Sequence, residues 1–295
     1  HRSMVLAQIR QAGNTTMIKT KTKTLGVIGG LGPMATAYYM ELVIQMTDAS
    51  CDQEHLNMII SSRPGTPDRT RYILGLSDEN PAPVMIDAGR WLVAEGAEIL
   101  AIPCITAHYF QKQLEEEIHT PVIHLIKETV HHMRDYGVRK AGIMATDGTI
   151  QSGLFQEELR LHGMEAVLPS AEAQKKVMHL IYDNVKAGRP PELELFREVK
   201  RELMAAGAEV IVLGCTELSI IKKMYPVGSG VLDAMEVLAR GAGLRCVARL
   251  MQEYGCLISG WKEPDSERLP EEIEEEQNAD KRTRIFGTDS AACAG

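Results

Sequence analysis

Residues 95–106 read EGAEILAIPCIT, and residues 206–216 read AGAEVIVLGCT. In both stretches Gly-Ala-Glu leads into an apolar run that ends at a cysteine with a threonine just beyond it, and the two cysteines, Cys104 and Cys215, stand 111 positions apart. Each run is preceded by a longer amphipathic segment, VMIDAGRWLVAEGA at 84–97 and FREVKRELMAAGA at 196–208. A helix feeding a short, wholly apolar strand is the signature of a parallel sheet covered by helices.

The repetition extends outward. KAGIMATDGT at 140–149 matches TLGVIGGLGP at 24–33 in placing a basic or polar residue, glycine and an apolar run before a Gly-bearing turn, 116 positions apart. LGVIGG (25–30) reads as a first strand and a helix opens at Pro33, where the missing N–H costs nothing. LNMIIS (56–61) is the second strand, EILAIP (98–103) the third, and TAHYFQKQLEEEI (106–118) a helix. EAVLP (165–169) and EVIVLG (209–214) take the corresponding places in the second half. Two landmarks recurring at nearly one spacing predict an α/β protein of two similar lobes, each a short, mainly parallel sheet flanked by helices. The lobes are related by pseudo-two-fold duplication, with the active site in the cleft between them. The expected boundaries are a leader over 1–23, a first lobe over 24–118 plus about 227–258, a second lobe over 119–226, and an acidic solvated tail over 259–295.

Bulk properties narrow the function. The net charge is −8, but residues 261–295 hold ten acidic and five basic side chains, so the remainder carries only −3 and offers no electrostatic footprint for nucleic acid. No apolar stretch approaches the roughly 20 residues that span a bilayer, and the first residues lack the apolar centre of a secretory signal, so a cytoplasmic protein is expected. Six cysteines show neither CxxC pairing nor zinc-type His spacing. His124, His131 and His132 in HLIKETVHHMRD lack an HExxH spacing and read as helix-surface histidines, so no metal ligand is assigned. Cys51, Cys246, Cys256 and Cys293 have no duplicated context and receive no chemistry.

Buried free cysteines are usually plain core residues; matched placement at a strand's carboxyl end, where open parallel sheets bind ligands, sets Cys104 and Cys215 apart. Each precedes a helix, whose unpaired N–H groups and dipole favour an anion, so a thiol of ordinary pKa about 8.5 is expected to reach thiolate near neutrality. Two such groups approaching one cleft from opposite sides suit removal of a proton from one face of a carbon and its return on the other.

GVIGGLGPMAT at 26–36, PDRT at 67–70, PCITAH at 103–108 and GCTEL at 214–218, in this order and spacing, resemble the aspartate/glutamate racemase family, its aspartate racemase and broad-specificity amino-acid racemase branch in particular. The resemblance covers about residues 24 to 258. It implies two α/β lobes around one site, a homodimer, a small amino-acid substrate, and racemisation without pyridoxal phosphate or metal. Carried over by motif, Cys104 and Cys215 are the acid/base pair, Arg69 binds the substrate's side-chain carboxylate, Lys186 is a second cation at that end, and Thr106 and Thr216 contact the α-carboxylate. His108 and Glu217 stand as auxiliary candidates. The family normally has Asn after its first cysteine, whereas this chain has Ile105, which supplies no amide and leaves open which amino acid is bound.

Two other readings compete. One is a related isomerase or an idle small-carboxylate-binding protein of the same superfamily, against which the retention of both cysteines speaks. The other is an NADP-binding Rossmann enzyme, since GLGPMA (30–35) fits G-x-G-x-x-A. The second strand ends in SSRPG without the acidic residue that holds a ribose, although Arg63 suits a 2′-phosphate.

Overall fold

The Gly-Ala-Glu repeat has one structural job, done twice. In the computed structural model, which describes residues 22–261, helix α3 (Ala82–Ala94) and helix α9 (Leu193–Ala205) each end at a left-handed glycine, Gly96 at φ 104° and Gly207 at φ 99°. The following alanine N–H reaches back to the helix, Ala97 to the Leu92 carbonyl at 3.0 Å and Ala208 to Leu203 at 3.1 Å. The glutamate then caps the start of the lobe's central strand: Glu98 accepts from Thr24 N–H, and Glu209 accepts from Arg139 and Lys140 N–H. Each alanine also packs on a glycine of that strand. A Cβ on Gly26 would come within 2.7 Å of Ala97 Cβ, and one on Gly142 within 3.1 Å of Ala208 Cβ, so both helices approach closer than any larger residue would permit.

The first lobe runs β1 (Leu25–Gly29), α1 (Pro33–Met46), β2 (Met58–Ser62), α2 (Arg69–Ile73), α3 and β3 (Ile99–Ala101). A 3₁₀ turn over Thr106–Phe110 and α4 (Gln111–Ile118) follow. The second lobe runs α5 (Leu125–Asp135), β4 (Lys140–Ala145), α6 (Asp147–Ser152), α7 (Leu154–Leu161), β5 (Glu165–Val167), α8 (Ala171–Met178), a π-helix (His179–Lys186), α9, β6 (Val210–Gly214) and α10 (Thr216–Met224). β7 (Val231–Asp233) and α11 (Ala234–Arg245) complete the set.

The sheets are parallel throughout, in the orders β2-β1-β3 and β5-β4-β6-β7. β1 and β4 are therefore each flanked by the next two strands of their lobe, so the chain reverses direction across the sheet at those strands. Crevices for ligands open at the carboxyl ends beside such reversals. β1, β3, β6 and β7 are buried at every position. Ile28, Leu92, Leu100 and Ile102 fill the first core, and Leu180, Phe196, Ile211 and Leu213 the second.

Two expected boundaries move. Val231–Asp233 pair with β6 and belong to the second sheet; α11 returns to pack on α1 as well as α5, and Leu250 beyond it bridges Thr47 of the first lobe. At the other junction Val122 bridges Leu100, so the first lobe runs past residue 119. Of the described residues, those from 22 to 260 form one compact unit, and of the segment that follows only Trp261 lies in the described range. The expected leader up to residue 21, the tail from 262 and Cys293 fall outside the described residues. No described helix is long and apolar enough to cross a membrane.

His132 departs from the expected surface position. It is 6 % exposed and its Nε2 accepts from Leu257 N–H at 3.1 Å, because the segment that carries Leu257 passes over α5. Burial pushes its pKa down to about 4, so the ring stays neutral and able to accept. His124 sits at the start of α5 and accepts from Lys127 N–H.

Candidate active site

Cys104 lies three residues beyond β3, Cys215 immediately beyond β6, and each packs against the core of its own lobe. Both are 6 % exposed, and both line a single cavity of about 20 Å³. Leu31, Arg69, Ile105 and Thr106 join Cys104 from the first lobe; Thr146, Tyr182, Lys186, Thr216 and Glu217 join Cys215 from the second. A space of this size holds about one water molecule. A second pocket of about 350 Å³ shares Asp68, Arg69, Lys186 and Glu217 with it and continues along Gly32, Pro33 and Thr66.

Cys215 stands in direct contact with charged groups. Cys215 Sγ donates to Glu217 Oε2 at 2.9 Å, and Glu217 Oε1 pairs with Lys186 Nζ at 2.7 Å. Burial, and then the Glu217 carboxylate, raise the Cys215 thiol well above its ordinary value, with Lys186 opposing. The thiolate expected from the α10 N-terminus is thereby corrected. Desolvation and a carboxylate in contact outweigh the dipole of a short helix, and Cys215 is a thiol. Burial works against the Lys186 charge, but Glu217, then Cys215 and Cys104, more than offset it and raise its pKa, so Lys186 remains a cation. Its ammonium also lies 5.6 Å from the Tyr182 ring centre.

Arg69 is the cation on the other side. It is 8 % exposed and opens α2, whose N-terminus is capped by Asp68 accepting from Arg71 N–H at 2.8 Å. It thus stands at a helix start just past the loop that leaves β2. Nη1 donates to the Thr66 and Pro67 carbonyls and Nη2 to Leu31, which ties the β1 and β2 exit loops together. Nε is buried without a partner and leaves a donor for a ligand. Burial acts against its charge, while Cys104 foremost, then Asp68 and Tyr182, raise its pKa.

Thr106 and Thr216 both line the cavity, and each also bonds within the protein. Thr106 Oγ1 lies 3.1 Å from Thr146 Oγ1 and 3.0 Å from Thr149 Oγ1, a buried ring of hydroxyls that joins the lobes. Thr216 donates to Glu217 Oε2 at 3.3 Å. His108 braces the backbone rather than tuning a sulfur: Nδ1 donates to the Cys104 carbonyl at 2.9 Å, and burial lowers its pKa. Ile105, 2 % exposed, presents an apolar wall to the cavity.

Sequence reasoning missed Thr146, Thr149 and Tyr182. Thr146 was findable, since it follows β4 as Gly30 follows β1 at the 116-residue offset already seen. Tyr182, pushed up to about 12 by burial, reaches Asp68 Oδ2 at 3.3 Å from a π-turn that no periodicity marks.

The dinucleotide reading of GLGPMA does not fit. Gly30, at φ 88°, lies against the Arg63–Pro64 backbone, where a Cβ would fall 2.3 Å from Arg63 N. Its freedom serves loop packing, leaving no room for a pyrophosphate there. Arg63 pairs with Asp87 at 2.5 Å.

The two parallel-sheet lobes agree with the relatives of the chain. The model of the Asp/Glu/hydantoin racemase family matches residues 28–242, and the chain belongs to that family of racemases, which are isomerases. It is 26 % identical over 223 residues to the broad specificity amino-acid racemase RacX of Bacillus subtilis, covering 73 % of this chain and 95 % of that one. The aspartate racemase of Picrophilus torridus superposes with a TM-score of 0.68 at 27 % identity, over 79 % of this chain and 97 % of that one. A glutamate racemase of Deinococcus radiodurans is 25 % identical over 62 % of this chain and 63 % of its own length.

Proposed function

We propose that the protein interconverts the L and D forms of an acidic amino acid, aspartate or glutamate, by two-base proton transfer at the α-carbon. The observation that carries this reading is the shared cavity. Cys104 and Cys215 reach it from different lobes, with the cations Arg69 and Lys186 beside them. Cys104 as thiolate takes the α-proton and becomes a thiol. Cys215, whose thiol is supported by Glu217, gives its proton to the opposite face and becomes the thiolate, with Lys186 as counter-cation. The reverse reaction exchanges these roles. Arg69 holds a substrate carboxylate through its spare Nε donor and an Nη, a side-on bidentate geometry that lysine lacks. Charge developing at the α-carbon and its carboxylate meets fixed donors instead of water.

A cavity that holds one water does not hold an amino acid, so the lobes part to admit substrate, and the adjoining 350 Å³ pocket gives the direction of entry. Ile105 favours contact with the substrate's methylene groups. The likenesses to an aspartate racemase and to a broad-specificity enzyme support an acidic substrate within a wider range. A homodimer is part of the reading, and light scattering measures it.

The test is exchange of the α-hydrogen. L- and D-aspartate, glutamate and several neutral amino acids are incubated in deuterated water and followed by NMR. Exchange by wild type, abolished in Cys104→Ala and in Cys215→Ala, is the expected result. Absence of exchange with every amino acid would favour a carboxylate-binding protein instead.

A further inference from the structure

His131, Glu158 and His162 each present a ligand atom such that all three atoms lie within 4.8 Å of one another. His131 comes from α5, Glu158 from α7, and His162 ends α7. The two imidazoles stand edge to face, with ring centres 4.8 Å apart. Glu158 Oε1 lies 3.2 Å from His162 Nε2. The Glu158 side chain is 12 % exposed, and no lysine or arginine pairs with it among the described residues, the neighbouring Arg160 being taken by Glu157. A largely buried carboxylate beside two imidazoles has no lysine or arginine to offset its burial.

We propose that these three side chains form a Zn²⁺ site. Two imidazole nitrogens and one carboxylate oxygen are a donor set suited to zinc, with a fourth, exchangeable position filled by water. Donors on one tetrahedral zinc ion at about 2.0–2.1 Å stand about 3.3 Å apart. The His162–Glu158 spacing already has that value, and the third donor closes on them by a rotation of its side chain. The sequence conceals the site because its ligands come from two helices brought together by packing, outside any contiguous motif. A histidine at a helix C-terminus also complements the dipole, but that explains neither the second imidazole nor the carboxylate beside them.

Position separates the site from the chemistry. α5 leads into β4 and α7 into β5, so the ends of both helices lie at the amino edge of the second sheet. Cys215 and Thr146 leave its carboxyl edge. The ion therefore clamps α5 to α7 and stabilises the second lobe, with no part in proton transfer.

The experiment uses the full chain stripped of metal and titrated with Zn²⁺ in a calorimeter. The expected result is one site whose affinity falls at least tenfold in His162→Ala and in Glu158→Gln, and a melting temperature that rises with Zn²⁺ in wild type only. Substitution with Co²⁺ separates this site from the cysteines: nitrogen and oxygen ligation gives ligand-field bands without sulfur-to-cobalt charge transfer. Wild-type α-hydrogen exchange persists in both variants. Failure of wild type to bind Zn²⁺ overturns the proposal. So does binding of unchanged affinity in both variants, or a cobalt spectrum dominated by sulfur.

Discussion

Replacing Lys186 with methionine removes one charge of a largely enclosed pair and leaves Glu217, 6 % exposed, without its cation. At 2.7 Å and an effective dielectric of about 20 the attraction between the charges is about 6 kcal/mol. Much of this offsets the cost of removing both ions from water, and breaking a fully buried pair typically costs about 3–5 kcal/mol. Because the Lys186 side chain is 27 % exposed, water restores part of the loss, and the expected cost is about 2–4 kcal/mol. Urea unfolding reads it as a lower midpoint at unchanged slope, and the melting temperature falls by roughly 4–16 °C. The sign with pH is defined. In wild type the raised Lys186 pKa contributes stability that is present below the lysine's unfolded value and lost as pH rises through the folded one. Adding Glu217→Gln to the variant is expected to recover more than half of the loss. A deficit under about 0.5 kcal/mol, one indifferent to pH, or one that Glu217→Gln leaves in place would refute the buried-pair account.

Alkylation by iodoacetamide, read peptide by peptide, is expected to reach Cys215 only at pH above the ordinary thiol range. Glu217→Gln lowers that midpoint and Lys186→Met raises it, because the first removes the carboxylate that opposes the thiolate and the second removes the cation that favours it. A midpoint indifferent to both substitutions contradicts the charge assignment. Gly30→Ala places a methyl 2.3 Å from Arg63 N at a φ of 88°, and more than about 3 kcal/mol of stability is expected to go with it. A variant as stable as wild type in urea would show that the two exit loops are not in fixed contact.

The repeat was legible because its parts obey local rules that the chain applies twice. A helix needs a left-handed stop, the strand after it needs an apolar run, and a central strand crossed closely by a helix needs glycine. Gly96 and Gly207, Gly26 and Gly142, Glu98 and Glu209 all follow from those needs. Strand ends and helix starts near Pro33 were accordingly readable within a few residues, and the cysteines beyond β3 and β6 with them. The limits of the lobes were harder to see. The Val231–Asp233 segment pairs with β6 by a hydrogen-bond ladder that carries no sequence mark, and Val122 bridges β3 from beyond the expected end of its lobe.

The sequence by itself determined the α/β class, the two-lobed repeat and the matching places of Cys104 and Cys215 after their strands, because propensity, capping and hydrophobic period act over a few neighbouring residues. The tertiary structure alone decided the state of Cys215. Glu217 is two residues from Cys215 in the chain, yet its contact with Sγ and its pairing with Lys186 depend on the fold, as does the burial that makes Cys215 a thiol. It also decided that Thr106 meets Thr146 and Thr149, and that His131 meets Glu158 and His162. Charge and hydrogen bonding act through space over a few ångströms, and only folding sets which distant residues come that close.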